Sequence, residues 1–110
     1  MVSAASVGLS VTVVEVGSAT TLNCTASAEC SEPRLHWKFA AVGGTYERLY
    51  LNNRCGRSLP KCSITLSDNS RTSSLTINDI QLTDAGLYDC AQCWRPRSSK
   101  FQTLSVVGKN

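Results

Sequence analysis

The amino-acid sequence predicts an all-β domain, folded as a sandwich of two antiparallel sheets. Two observations predict the class. Apolar residues recur at period two or in short β-branched runs separated by turn residues, and no segment keeps a helical period over ten residues. Six cysteines are spread along a chain of only 110 residues, the pattern of a disulfide framework in an oxidising compartment. This length fits one domain, residues 1–110, whose modest core gains from covalent cross-links.

Each element follows in order. Val7 to Val16 (VGLSVTVVEV) reads as a first strand ended by Gly17-Ser18, and Ala19 to Ala26 as a second with Leu22, Cys24 and Ala26 on one face. A polar loop runs from Ser27 to Arg34. Leu35 to Ala40 (LHWKFA) alternates, with Leu35, Trp37 and Phe39 facing one way and His36, Lys38 and Ala40 the other. Gly43-Gly44 marks a hairpin turn, and Glu47 to Leu51 returns as a fourth strand. Asn52 to Lys61 is the least regular part. Ser63 to Ser67 and Thr72 to Ile77 form a second hairpin around Asp68 to Arg71, with Ile64, Leu66, Leu75 and Ile77 available to a core. After a crossing segment, Asp79 to Asp84, the strands Gly86 to Trp94 and Phe101 to Val107 pair across a loop, Arg95 to Lys100. The total is about nine strands.

Composition excludes several function classes. A net charge of +3 tilts the surface toward acidic partners without the density of a nucleic-acid binder. No stretch approaches the ~20 apolar residues of a membrane span, and Met1-Val2-Ser3 lacks the regions of a signal peptide. Met1 is therefore read as an expression start on an excised domain, with any membrane anchor in a segment absent here. Asn23-Cys24-Thr25 is a formal N-glycosylation sequon at Asn23. No nucleophile stands with a base and an orienting group, so no enzyme is expected. His36, the only histidine, is isolated, and no cofactor or metal is expected.

Cys24, Trp37 and the run Asp84-Ala85-Gly86-Leu87-Tyr88-Asp89-Cys90 occur in the order of an immunoglobulin domain, and the chain resembles that superfamily over essentially its whole length. The resemblance implies a Greek-key sandwich with a Cys24–Cys90 bridge between sheets, Trp37 packed on it, and Tyr88 pinning a corner. The 66-residue step between the two cysteines leaves room for the extra strands of a variable-type (V-set) domain. In such domains a basic residue opening the fourth-to-last strand pairs with the aspartate at Asp84, and Lys61 beside Cys62 is only an approximate counterpart. Strand G reads Phe101-Gln102-Thr103-Leu104, without the Phe-Gly-x-Gly of antigen receptors. Ala91 stands where sialic-acid-binding members carry an arginine. The chain is instead similar to non-rearranged innate immune-type receptors of the cell surface, such as those of fish.

Asp89 and Ala91 are expected to point outward beside His36 and Lys38, and burying so polar a face in a dry dimer would cost several kcal/mol. Lys38 and Asp89 are placed to pair across neighbouring strands. Cys30, Cys55, Cys62 and Cys93 remain, with three possible pairings. Neighbouring loops at one end of a variable domain favour Cys30–Cys93 with Cys55–Cys62; the rival is Cys55–Cys93 with Cys30–Cys62. Cys90-Ala91-Gln92-Cys93 also matches a C-x-x-C, but the bridge to Cys24 uses one of its members.

The segment Trp94 to Lys100 joins a tryptophan to Arg95, Arg97 and Lys100 on a proline-stiffened loop, and Trp and Arg are hot-spot residues. Arg34, Arg54 and Arg57 lie toward the same end in the family arrangement. The expected function is extracellular ligand recognition by a cell-surface receptor, as a monomer or weak dimer, with a protein ligand or counter-receptor as partner. The alternatives are a homophilic adhesion module using His36, Lys38 and Asp89, and a pattern-recognition domain for an anionic glycan or lipid.

Overall fold

A computed structural model describes residues 10–50, 54–55, 61–94 and 97–108. Eight strands form among them: β1 Ser10–Glu15, β2 Thr20–Thr25, β3 Pro33–Ala41, β4 Glu47–Arg48, β5 Cys62–Leu66, β6 Thr72–Ile77, β7 Gly86–Trp94 and β8 Arg97–Val107. Five make one sheet in the order β1-β8-β7-β3-β4, and three make the other in the order β2-β6-β5. All pairings are antiparallel except β1 with β8. The sequence period of two becomes a buried face and an exposed one. In β2, Leu22 and Cys24 are buried while Thr21, Asn23 and Thr25 are exposed; in β6, Ser73, Leu75 and Ile77 are buried.

The core lies between the sheets and contains Leu22, Cys24, Trp37, Phe39, Leu75, Ile77, Ile80, Tyr88, Cys90 and Leu104. Each fully buried large side chain contributes about 1.5–3 kcal/mol. A disulfide joins Cys24 of β2 to Cys90 of β7, so the covalent link crosses from one sheet to the other. Closing a loop of 66 residues constrains the unfolded chain by about 4 kcal/mol. Trp37 sits opposite Cys90 in the β3–β7 register. Its indole N–H donates to Ser73 Oγ at 2.9 Å, and that hydroxyl donates onward to the Thr65 carbonyl at 2.7 Å, so the buried polar atom of the largest core side chain is satisfied across the interface.

Glycine is required at Gly86, where φ is 153° and a Cβ would overlap the Ala40 carbonyl oxygen; there β7 lies tight against β3. Tyr88, two residues on, donates its hydroxyl to the Asp84 carbonyl at 2.7 Å and fastens the turn that enters β7. Buried there beside Asp84, the hydroxyl is held above its ordinary titration range.

Four sequence expectations need correction. The first strand is not among them: it spans Ser10–Glu15, inside the expected run, and residues 7–9 lie outside the described residues. The fourth is two residues long, Glu47–Arg48, and the region that would hold a ninth strand lies largely outside the described residues. Leu66, expected in the core, is 55% exposed, at the end of the edge strand β5 beside the Asp68–Arg71 turn. The polar run Arg97 to Lys100 is strand and not loop: a bulge between Ala91 and Cys93 resets the register, so Ser98 pairs with Cys93 and Trp94 with Arg97. Asp89 is 6% exposed, not solvated, and its Oδ1 has no hydrogen-bond partner. It lies opposite Lys38 on one side and Phe101 on the other, and a side chain so short on a central strand sits below the level of taller neighbours. The register aligns Lys38 with Asp89, but the ion pairs among the described residues do not include that pair.

Candidate functional site

The cations named from the sequence divide between two places. At the Asp84 corner, Arg54 Nη2 lies 2.6 Å from Asp84 Oδ1 and Lys61 Nζ lies 2.7 Å from Asp84 Oδ2. Asp84 is 1% exposed, and the Gln81 N–H also donates to its Oδ2 at 2.8 Å. Burial pushes this carboxyl upward, but the Gln81 amide, the Lys61 ammonium and the Arg54 guanidinium outweigh it and hold the group below the usual carboxylate range. Arg54 also lies 4.6 Å over the Phe39 ring and 3.7 Å from Glu47. The structure thus brings Arg54, counted from sequence among the ligand contacts, to a structural ion pair. Lys61 pairs with Asp84 despite its displaced position, and two cations share a task expected of one.

The other group surrounds Trp94, at the end of β7. Trp94 is 45% exposed, with Arg97 5.0 Å and Arg34 5.7 Å from its ring centroid, and its amide donates to the Glu32 carbonyl. Beside it a cavity of about 440 Å³ opens on the outer face of the five-stranded sheet. Its cationic lining is Arg34 and Lys38 from β3, Arg48 from β4 and Arg97 from β8, with His36 between them; Leu35, Ala91 and Cys93 give an apolar floor, and Ser98 and Ser99 add hydroxyls. No carboxylate lines it among the described residues. Partial burial lowers the His36 pKa first, and the positive charges of Arg48 and Lys38 lower it further, against the Arg34 carbonyl and Asp89.

The rim of this cavity is braced covalently where Cys30 is joined to Cys93. A third disulfide joins Cys55 to Cys62 in the main core. Cys30, Cys93 and Ala26 form a small second core with Leu35. Arg71, which sequence reasoning did not single out, donates to the carbonyls of Ser27 at 2.7 Å and Cys30 at 3.1 Å and so holds the β2–β3 loop. Arg48, Ser98 and Ser99 were also missed, because only the register with β3 and β7 brings them to the cavity. Lys100 lies opposite Cys90 and reaches the Asn23 carbonyl at 3.3 Å, on the other side of β8 from the cavity. Asn23 is exposed, its Oδ1 accepting from Ser74. Arg57 and Arg95 lie outside the described residues.

A two-sheet sandwich bridged by Cys24–Cys90, with the Tyr88 hydroxyl pinning its corner, defines the class of immunoglobulin-like β-sandwich domains. No helix among the described residues is long and apolar enough to cross a membrane. The family model described as immunoglobulin domain matches residues 6–91, and the chain belongs to the immunoglobulin-domain family. No curated protein matches the sequence. Immunoglobulin domains with disulfides are typical of extracellular or secreted proteins, commonly bind other proteins, and are typically not enzymes.

Proposed function

We propose that this chain is a variable-type, ligand-recognition domain of a cell-surface immune-type receptor, binding a protein ligand through the Trp94 corner and the outer face of the sheet formed by β4, β3, β7 and β8. The observation that carries the reading is the half-exposed Trp94 between two arginines, on a rim tied by Cys30–Cys93. An aromatic anchor flanked by guanidinium groups has hot-spot composition, and a braced rim lowers the ordering cost of binding. The polar outer face, with His36 and Lys38, supports a monomer over an apolar homodimer.

The test is staining of a panel of cells by the tetramerised domain, with and without protease treatment of the cells. Protease-sensitive staining is expected, and Trp94→Ala with Arg97→Ala abolishes it while the melting temperature falls by less than about 4 °C. Undiminished staining by the double variant overturns the assignment of this face.

A further inference from the structure

The cavity beside Trp94 has a charge pattern that recognition by surface complementarity alone does not require. Arg34, Lys38, Arg48 and Arg97 converge on it from three strands, and no carboxylate lines it among the described residues. The ion pairs among those residues engage Arg54 and Lys61 and leave Arg34, Lys38 and Arg97 without a carboxylate. Asp89 lies opposite Lys38 in the strand register and is buried, and one such carboxylate against four cations leaves the group positive. Like charges gathered in a concave, partly desolvated site raise the local potential and concentrate an anion there. Unlike Arg54 and Lys61 at the Asp84 corner, Arg34, Lys38 and Arg97 have no ion-pair partner among the described residues.

We propose that this cavity is an oxyanion site that receives a carboxylate-rich segment of the protein ligand, with Arg34, Lys38 and Arg97 as the pairing groups. The proposal deepens the function given above and rests on that reading for its protein partner. Size and lining favour a peptide. A volume of about 440 Å³ exceeds what one carboxylate fills, and Leu35, Ala91 and Cys93 offer apolar contact to the methylenes of acidic side chains. Ser98 and Ser99 can donate to oxygens that the guanidinium groups leave unpaired. A sugar would use the open face of an aromatic ring, but Arg34 and Arg97 already lie over the Trp94 ring.

His36 supplies a readout within the site. Its low pKa reflects burial and then Arg48 and Lys38, opposed by Asp89 on β7; the other charged groups facing it are Arg34 on its own strand and Arg97 on β8. A bound anion offsets those cations, so it raises the His36 pKa, and by linkage the affinity rises as pH falls through the His36 range.

The experiment is NMR titration of the whole domain with a tetraglutamate peptide at low salt, following the His36 ring, with inorganic sulfate, a sulfated disaccharide and phosphatidylserine vesicles as parallel probes. Expected are saturable binding, an upward shift of the His36 pKa, and affinity reduced about tenfold by Lys38→Gln and by Arg97→Gln, with Lys38→Arg retaining it. Melting curves of each variant check the fold. Binding of the disaccharide or the vesicles with none of the peptide overturns the acidic-peptide assignment. Peptide binding that ignores the variants, or leaves His36 unshifted, overturns the location. Loss of peptide binding alongside intact, Trp94-dependent cell staining would sink this inference and leave the proposed function standing, whereas the reverse pattern would sink the proposed function.

Discussion

The domain holds two clusters of the same residue types in opposite electrostatic conditions. At the Asp84 corner an arginine and a lysine close on a buried carboxylate, and every partner belongs to the chain. Around the Trp94 cavity four cations and a histidine face an open space with no carboxylate in its lining. A closed cluster can only serve the fold, because its bonds are complete before any partner arrives. An open one contributes little to the fold, since its charges repel each other and remain partly solvated. Satisfaction of charge, more than abundance of charge, separates the basic residues of the Asp84 corner from Arg34, Lys38 and Arg97, the groups proposed to receive a ligand.

The largest effect should come from opening the closed cluster. Asp84→Asn leaves two cations converging on a neutral amide whose single oxygen must serve the Gln81 N–H, Lys61 and Arg54, at a cost of about 3–5 kcal/mol. Denaturant unfolding followed by tryptophan fluorescence measures it. A loss under about 1 kcal/mol would place the Asp84 corner with ordinary surface pairs and erase the contrast.

Acid should reproduce part of that loss in the unmodified chain. The folded state holds the Asp84 carboxyl below the range of an unfolded aspartate, about 3.9. A group with a depressed folded pKa stabilises the fold in full above the unfolded value, and the contribution is lost as pH falls through the folded one. Stability should therefore decline below about pH 4, and the Asp84→Asn variant should show a shallower decline. Equal slopes in the two proteins would mean that other carboxyl groups carry the acid response.

How much of this was legible in the sequence depended on whether the signal was local. The sheets and the Tyr88 corner follow from alternation and from the run Asp84 to Cys90, where side-chain direction is fixed by the residue's place in its own strand, whereas the close approach at Gly86 emerged only from the structure. Asp84 itself announced a basic partner. The destination of Arg54 was not legible, because the Asp84 contact spans thirty positions and competes with a plausible place at the recognition end. The cavity was half legible. Trp94, Arg97 and Arg34 stood out by type, and His36 and Lys38 by alternation, but Arg48, Ser98 and Ser99 depend on pairing register. One bulge between Ala91 and Cys93 converts the expected loop into paired strand and sends Lys100 to the other side of β8. Asp89 escaped for a related reason: alternation gives the direction of a side chain, not the height of its neighbours.

The smallest expected effect on stability is the sharpest test of the open cluster. Arg34 is exposed, its described contacts with the fold include one face of Trp94, and Arg97 also lies over that ring. Arg34→Gln removes one cation–π contact, about 0.5 kcal/mol at an exposed site, and relieves repulsion from Lys38, Arg48 and Arg97 of similar size. The two nearly cancel, so the unfolding free energy should change by no more than about 0.5 kcal/mol. Salt separates the terms. Repulsion is screened over about 10 Å at 0.1 M ionic strength, so the variant should gain relative to the parent in dilute buffer and lose slightly at high salt. A loss above about 1 kcal/mol that salt does not move would mean that Arg34 holds the rim together, and the cavity would then share the structural character of the Asp84 corner.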